Sequence, residues 1–99
     1  MNILLACDYM GPNPGNFIPS IRELDKYIRE CDRENKVIYA FPAKCASFAW
    51  CKQMLDEGAI LYFYQSKSLS YGIRFLNDII SKEKITVVHT HFEPFDKPT

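Results

Sequence analysis

The sequence lacks the features that identify membrane, secreted and nucleic-acid-binding proteins. Twelve Lys and Arg balance twelve Asp and Glu, so the formal charge is zero and no positive surplus attracts nucleic acid or anionic lipid. The first apolar run, residues 3–7, is far shorter than the roughly 20 residues that span a bilayer, and no basic segment precedes it as in a signal peptide. We therefore expect a cytoplasmic protein with no nucleic-acid partner.

The four cysteines lack the paired spacing of a zinc site. Cys7, Cys31, Cys45 and Cys51 are separated by 24, 14 and 6 residues, and no C-x-x-C occurs. On a helix, positions 45 and 51 would lie on different faces about 9 Å apart along the axis, which is too far for a disulfide. The pattern favours free thiols in a reducing compartment.

The residues that are present have the composition of an ordinary globular domain, with 47% hydrophobic and 24% charged residues. Short apolar runs alternate with longer segments of helical period, which is typical of βαβ units. The predicted strands are residues 3–7, 37–41, 59–64 and 85–90, and the predicted helices are residues 16–35, 44–57 and 69–84. We expect one Rossmann-like α/β domain over residues 1–99, with three layers and a four-stranded parallel sheet in the order 3-2-1-4.

The helices have predictable starts and core faces. The first helix can be capped by Asn16, or by Ser20 through a capping box with Glu23, and we favour Asn16. The expected core residues are Phe17, Ile21, Leu24, Ile28 and Cys31, then Phe48, Cys51, Met54 and Leu55, then Leu69, Ile73, Leu76 and Ile80. Charged pairs such as Asp25 with Arg29 are expected on a solvated face.

The predicted strand order places a topological switch point between the first and fourth strands, where ligands of such sheets bind. Residues 8–16 follow the first strand, and residues 89–92 end the fourth. The first loop offers only Gly11 and Gly15, which do not form a G-x-G-x-x-G fingerprint. Its amides near Asn16 can bind an anion, or the loop only reverses the chain.

Two histidines end the fourth strand. His89 and His91 stand two residues apart, as in a two-histidine metal site, but no third ligand has convincing spacing, Glu93 included. We therefore expect no metal, and we favour hydrogen bonding by a neutral imidazole to a polar ligand, with a structural role for His89 equally open.

Two further residues allow a structural and a functional reading. Cys7, at the end of a strand and before a loop, has the layout of a phosphocysteine enzyme, but Asp8 adds a repelling charge and Pro12 and Pro14 lack N–H groups. We expect Cys7 to be a buried apolar residue. Trp50 lies off the apolar stripe of its helix, and shielding a neighbouring loop is favoured over lining a cleft.

Three segments together resemble a known family. They are MNILL at residues 1–5, IREL at residues 21–24 after a Gly/Pro loop, and VVHTHF at residues 87–92. In this combination the chain resembles the N-terminal part of group 1 glycosyltransferases, which are retaining enzymes of the GT-B fold. The resemblance covers the whole chain but only about the first quarter of such an enzyme, so the length is expected to reflect a truncation.

The resemblance implies a function. In the family, the N-terminal domain mainly binds the acceptor and the C-terminal domain binds the nucleotide-sugar donor. Gly11, Gly15 and Asn16 would then border the cleft between the domains, and His91 would lie close to sugar hydroxyls. The partners implied are a nucleotide-sugar donor and a carbohydrate acceptor, with no cofactor and no catalytic residue in this part, which would be inactive alone. The resemblance also allows peripheral attachment of the parent protein at the inner membrane.

Other interpretations remain open at this point. The chain can be a complete small α/β domain, either a phosphocysteine carrier of the sugar phosphotransferase type or a flavodoxin-like binding module. In the truncated case, the fourth strand should have an open edge that associates with a second copy.

Overall fold

Strands and helices alternate along the chain. The computed structural model describes residues 1–65 and 69–91, and of residues 69, 70 and 91 only the backbone. In this part of the chain the elements are β1 (Asn2–Cys7), α1 (Phe17–Cys31), β2 (Lys36–Pro42), a short 3-10 helix (Ala43–Ser47), α2 (Ala49–Asp56), β3 (Ile60–Tyr64), α3 (Leu69–Glu83) and β4 (Val87–His91).

The strands form one parallel sheet in the order β3-β2-β1-β4. Leu5 of β1 lies between Tyr39 of β2 and His89 of β4 in the register. The order and direction of the strands confirm the predicted Rossmann-like α/β fold. They also confirm that the direction of strand addition reverses between β1 and β4.

Two apolar clusters cover the faces of the sheet. On one face, side chains of β1 and β2 pack against α1 and α2 through residues such as Leu5, Tyr39 and Ile21. On the other face, Leu4 and Ile38 pack with residues of α3, including the buried Ile79. Because β1 and β2 are covered on both sides, their sequences are continuously apolar, as expected for the centre of a parallel sheet.

Three details of the helices differ from the predictions. The first helix begins at Phe17, after Asn16, as favoured, but it ends at Cys31 rather than near residue 35. Cys31 is exposed, and Leu55 and Ile73 are exposed as well, so their predicted core positions were wrong. The predicted helix over residues 44–57 is divided, because Phe48 is extended between the 3-10 helix and α2.

The prediction that Asp25 lies on a solvated face was also wrong. Asp25 is only 4% exposed. Its Oδ2 accepts a hydrogen bond of 2.6 Å from the Tyr39 hydroxyl, and its Oδ1 accepts one of 2.6 Å from Nε of Arg29. The predicted Asp25–Arg29 pair therefore forms, but its carboxylate is buried between α1 and β2, because Tyr39 supplies a polar partner inside the core.

Candidate functional site

The two segments that were predicted to meet at the switch point lie side by side. The register pairs Ala6 with Thr90 and Cys7 with His91 at the carboxyl edge of the sheet. Residues 8–16 leave this edge as a loop and lead into α1. We refer to residues 8–16 as the β1–α1 loop. Phe92 and Glu93, which were considered with the histidines, lie outside the described residues.

Side chains hold the β1–α1 loop at three of its carbonyls. The Cys45 thiol donates to the carbonyl of Tyr9 at 3.1 Å, and Nε1 of Trp50 donates to the carbonyl of Gly11 at 2.9 Å. The Tyr9 hydroxyl donates to the carbonyl of Asn13. The prolines at positions 12 and 14 lack N–H groups and cannot donate within the loop. Side-chain donors hold these carbonyls instead, and Trp50 contacts the neighbouring loop, as the favoured prediction has it. Its predicted position off the core stripe was wrong, because Trp50 is only 5% exposed and belongs to the buried cluster.

Each glycine of the loop has its own structural reason. A Cβ atom on Gly11 would lie 2.6 Å from the Tyr9 hydroxyl oxygen, which is closer than real Cβ contacts allow. Gly15 has a φ of +55°, in the left-handed region where a side chain is strained. Both residues therefore shape the loop at the switch point, whatever the loop binds.

Asn16 lies at the N-cap position of α1, but its side chain makes no capping hydrogen bond to the described helix. Its backbone carbonyl is used instead, and accepts from the Ser20 amide at 3.2 Å and the Ser20 hydroxyl at 2.7 Å. Ser20 thus lies within the first turns of α1 and does not begin the helix. The Asn16 carboxamide is exposed at the loop and is not needed to cap the helix.

The two histidines lie two residues apart in the last part of β4. His89 pairs with Leu5 and is exposed, and the backbone of His91 pairs with Cys7 at the last position of the strand. His91 therefore lies at the carboxyl edge beside the start of the β1–α1 loop, while His89 lies two residues further from that edge. Among the two histidines, His91 is the one whose position in the strand adjoins the loop.

Cys7 has the surroundings of a structural thiol. It is buried, and burial, with a smaller contribution from neighbouring Cys45, raises the pKa of its thiol to about 12. Burial likewise raises the pKa of Cys45 to about 11. A nucleophilic cysteine needs the opposite, a lowered pKa and an accessible sulfur. All four cysteines are free thiols, as their spacing predicted.

One polar contact at the site was not predicted from the sequence. The Tyr64 hydroxyl, at the end of β3, lies 2.9 Å from the carbonyl of Cys7 and 3.1 Å from Oδ1 of Asp8. Burial and the Asp8 carboxylate raise the pKa of Tyr64 above its usual value. Tyr64 thus holds the end of β1 in place, although its own strand, β3, is separated from β1 by β2. Tyr64 and Asp8 are 56 positions apart in the sequence, and no local sequence pattern indicates their contact.

The charge of the loop limits what it can bind. Residues 8–17 contain one Asp and no Lys or Arg. Within the loop, Asp8 would repel an anion and only N–H groups would attract it. The exposed carboxamides of Asn13 and Asn16 suit hydroxyls better than phosphate. The chemistry available here is hydrogen bonding to an uncharged polar ligand.

A cavity of about 180 Å³ lies at the opposite, amino edge of the sheet. Its wall includes Arg22, Asp25 and Glu57. Arg22 forms an ion pair with Glu57 and lies 3.7 Å from Asp25. These charges already partner one another and join α1 to the turn after α2. We therefore assign the cavity a structural role, remote from the switch point.

Two further features bear on function. Among residues 1–65 and 69–91, no three His, Cys, Asp or Glu side chains are grouped so that they could hold a metal ion. Within the same described ranges, no helix has the length and apolar character required to cross a bilayer.

Comparison of the chain with family models, curated proteins and solved structures finds no match. The fold is therefore known from the structure itself, and a function has to be argued from the residues at the switch point.

Proposed function

We propose that this chain forms the acceptor-side, N-terminal part of a glycosyltransferase that uses a nucleotide-sugar donor. The observation that carries the proposal is the adjacency of the β1–α1 loop to the end of β4, whose sequence is VVHTH. The resemblance to group 1 glycosyltransferases rests on this same strand, and a parallel sheet binds ligands at such a switch point. Such an enzyme would act in the cytoplasm, with peripheral attachment at the inner membrane.

In this proposal the loop and strand bind sugar hydroxyls and perform no covalent step. The loop is uncharged beyond Asp8, so it suits the neutral acceptor rather than the diphosphate of the donor. Asn16 would hydrogen-bond to a hydroxyl, Gly11 and Gly15 would allow the acceptor to approach the backbone, and His91 would bind a second hydroxyl. The donor sites and the catalytic groups would belong to a C-terminal domain.

The alternatives have less support at the same residues. A phosphocysteine carrier requires Cys7 to accept a phosphoryl group, whereas Cys7 is buried and burial raises its pKa to about 12. A flavodoxin-like binding module would use the same crevice. Transfer activity that depends on the β1–α1 loop separates it from a glycosyltransferase.

The experiment uses the complete protein that the gene encodes. It is incubated with UDP-, GDP- and ADP-sugars and a lipid and glycan extract, and the release of nucleoside diphosphate is measured. We expect release from one donor class. Gly15→Ala should lower kcat/KM about tenfold or more, because the loop loses its left-handed residue at a cost of about 1 kcal/mol or more, and His91→Leu should lower it by a similar factor.

The matched control is Gly58→Ala. Gly58 also has a positive φ, +89°, but lies in the turn before β3 at the other edge of the sheet. It should carry a comparable backbone strain with kcat/KM unchanged. His91→Gln should retain more activity than His91→Leu, since it keeps hydrogen-bonding groups. No release from any donor, or equal losses for Gly15→Ala and Gly58→Ala, would contradict the proposal.

A further inference from the structure

The β1–α1 loop has a conformation that its own backbone does not maintain. Prolines occupy positions 12 and 14, so two of its possible amide donors are missing. The carbonyls of Tyr9, Gly11 and Asn13, at every second position, each accept a hydrogen bond from a side chain. The donors come from the 3-10 helix, from α2 and from Tyr9 itself. The conformation of the loop therefore depends on the side chains of Cys45, Trp50 and Tyr9.

Trp50 is the central member of this support. It is buried in α2, and its ring contacts Phe41 edge-on with centroids 5.1 Å apart. The rings of Tyr9 and Phe48 lie on other sides, each with its centroid 6.1 Å away. A buried indole N–H requires an acceptor, and here the acceptor is the carbonyl of Gly11. The packing fixes the ring, and the ring then fixes the middle of the loop.

Tyr9 supports the loop from within. Its ring stacks on Phe17, at the start of α1, with centroids 5.0 Å apart. Its hydroxyl reaches the carbonyl of Asn13, and Gly11 lacks the Cβ atom that would obstruct this contact. Tyr9 and Trp50 therefore hold two points of the loop between β1 and α1, at the carbonyls of Asn13 and Gly11.

The geometry points to Trp50 as a positioning residue for the proposed acceptor site: through its Nε1 bond to the Gly11 carbonyl, α2 holds the β1–α1 loop in its conformation at the switch point. Trp50 is buried and acts through Gly11. This inference rests on the proposed function for the identity of the ligand, but the ordering of the loop can be measured without it.

The first test measures amide hydrogen exchange in the 99-residue chain. Trp50→Phe keeps an aromatic ring in the cluster and removes the N–H donor. We expect exchange at the amides of Ile18 and Ser20, which donate to the loop carbonyls of Pro14 and Asn16, to accelerate about tenfold, since a tenfold change in opening corresponds to losing one modest hydrogen bond. Tyr9→Phe, which removes the donor to the Asn13 carbonyl and leaves the ring stack, should accelerate exchange at the same two amides.

Met54→Leu is the matched control. Met54 is buried in the same cluster but makes no hydrogen bond to the loop, and the change conserves volume. It changes the packing of the cluster without removing a donor to the loop, so it should leave exchange at these amides unchanged. If Trp50→Phe and Tyr9→Phe both leave loop exchange at the wild-type rate, or if Met54→Leu accelerates it equally, the inference is overturned.

The second test measures kinetics of the complete protein with the donor found active in the nucleoside diphosphate assay. A disordered loop must be ordered when the acceptor binds, and this cost falls equally on the bound substrate and the transition state. Trp50→Phe should therefore raise KM for the acceptor about fivefold or more with kcat within about twofold. An unchanged KM in a variant with accelerated loop exchange would overturn the positioning role.

The two proposals can fail separately. If the complete wild-type protein releases no nucleoside diphosphate from any donor, the glycosyltransferase proposal fails, while accelerated exchange in Trp50→Phe still supports the held loop. If the complete protein transfers sugar and Gly15→Ala lowers its activity, but Trp50→Phe changes neither loop exchange nor KM for the acceptor, the transferase proposal stands and the positioning role is wrong.

Discussion

Cys7 and Cys45 are thiols that the folded protein keeps uncharged. Desolvation is the main cause, because forming a thiolate inside the core places a negative charge away from water. Cys45 adds to the rise in the pKa of Cys7, and Cys51 adds to that of Cys45, since adjacent thiolates would repel each other. The consequence is a protein whose stability depends on pH in the alkaline range, although these cysteines perform no chemistry in the proposed function.

The free energy of unfolding should decrease as the pH rises above about 9. The Cys7 thiol has a pKa of about 12 in the folded protein against 9.0 when exposed, so above pH 9 the unfolded chain releases a proton that the folded chain retains. The stability is complete below pH 9 and is lost as the pH rises toward 12, with a slope of up to about 1.4 kcal/mol per pH unit for this one thiol. Urea denaturation at a series of pH values measures it.

Substituting the thiols identifies their share of this dependence. Cys7→Ala should have a lower stability at neutral pH and a shallower decline between pH 9 and 11. Cys31→Ala is the control, because Cys31 is exposed at the end of α1 and its removal should leave the slope at the wild-type value. A Cys7→Ala variant with the wild-type slope would show that burial of this thiol does not cause the decline.

At the scale of elements, charged and hydroxyl groups join the helices to the sheet. Asp25 connects α1 to Tyr39 of β2, and the Arg22–Glu57 pair connects α1 to the turn after α2. On the other face, Glu83 of α3 accepts from Lys36 at 2.9 Å and from the Tyr62 hydroxyl. Apolar contacts bring these elements together, and such directional bonds fix their relative positions.

Tyr39→Phe should destabilise the protein by about 1–3 kcal/mol, because the buried Asp25 carboxylate loses one of its hydrogen-bond donors. The ring and its packing remain, so the effect reports the hydroxyl. Tyr27→Phe is the control. Tyr27 lies on α1, as Asp25 does, and is 66% exposed, so this substitution should change the stability little. Urea midpoints at pH 7 measure both variants. Equal effects would mean that the Tyr39–Asp25 bond adds nothing to the attachment of α1.

At the scale of the whole molecule, the helices bury the central strands of the described sheet more completely than they bury β4. β1 and β2 are buried, whereas Val87 and Val88 of β4 are 42% and 41% exposed. Within the described ranges β4 pairs only with β1, so its other backbone edge is open. An open edge that carries apolar side chains favours pairing with another strand.

We expect the 99-residue chain to self-associate through β4 as its concentration rises. Sedimentation velocity should show dimers or larger species, and Val88→Lys should shift them to monomer, because a charged side chain on an edge strand opposes pairing. Ile73→Lys is the control, since Ile73 is an exposed apolar residue that lies on α3 and not on a strand. A monomer at every concentration, or the same effect from Ile73→Lys, would contradict association through β4.

The sequence predicted most of the fold because its signals are local. The continuous apolar runs of β1 and β2 and the alternation with helical segments are sufficient to predict a parallel sheet, and crossover handedness restricts the order of the strands. The errors occurred where burial depends on distant partners. Asp25 has the spacing of a surface ion pair with Arg29, and only Tyr39, 14 residues away, explains its burial.

The same division applies to the site. The residues of the β1–α1 loop and the end of β4 were identified from the sequence, because the strand order alone brings them to one edge. The bond from Trp50 to Gly11 joins residues 39 positions apart, and that from Tyr64 to Asp8 joins residues 56 apart. A single sequence contains no periodicity at such separations that would indicate these contacts.

The sequence by itself therefore determined the types and order of the elements, the parallel sheet and the adjacency of the β1–α1 loop to the end of β4, since these follow from local periodicity and chain connectivity. Only the tertiary structure decided which polar groups are buried, which thiols stay protonated and what holds the β1–α1 loop. These properties depend on desolvation and on hydrogen-bond geometry, which exist only after distant segments have packed together.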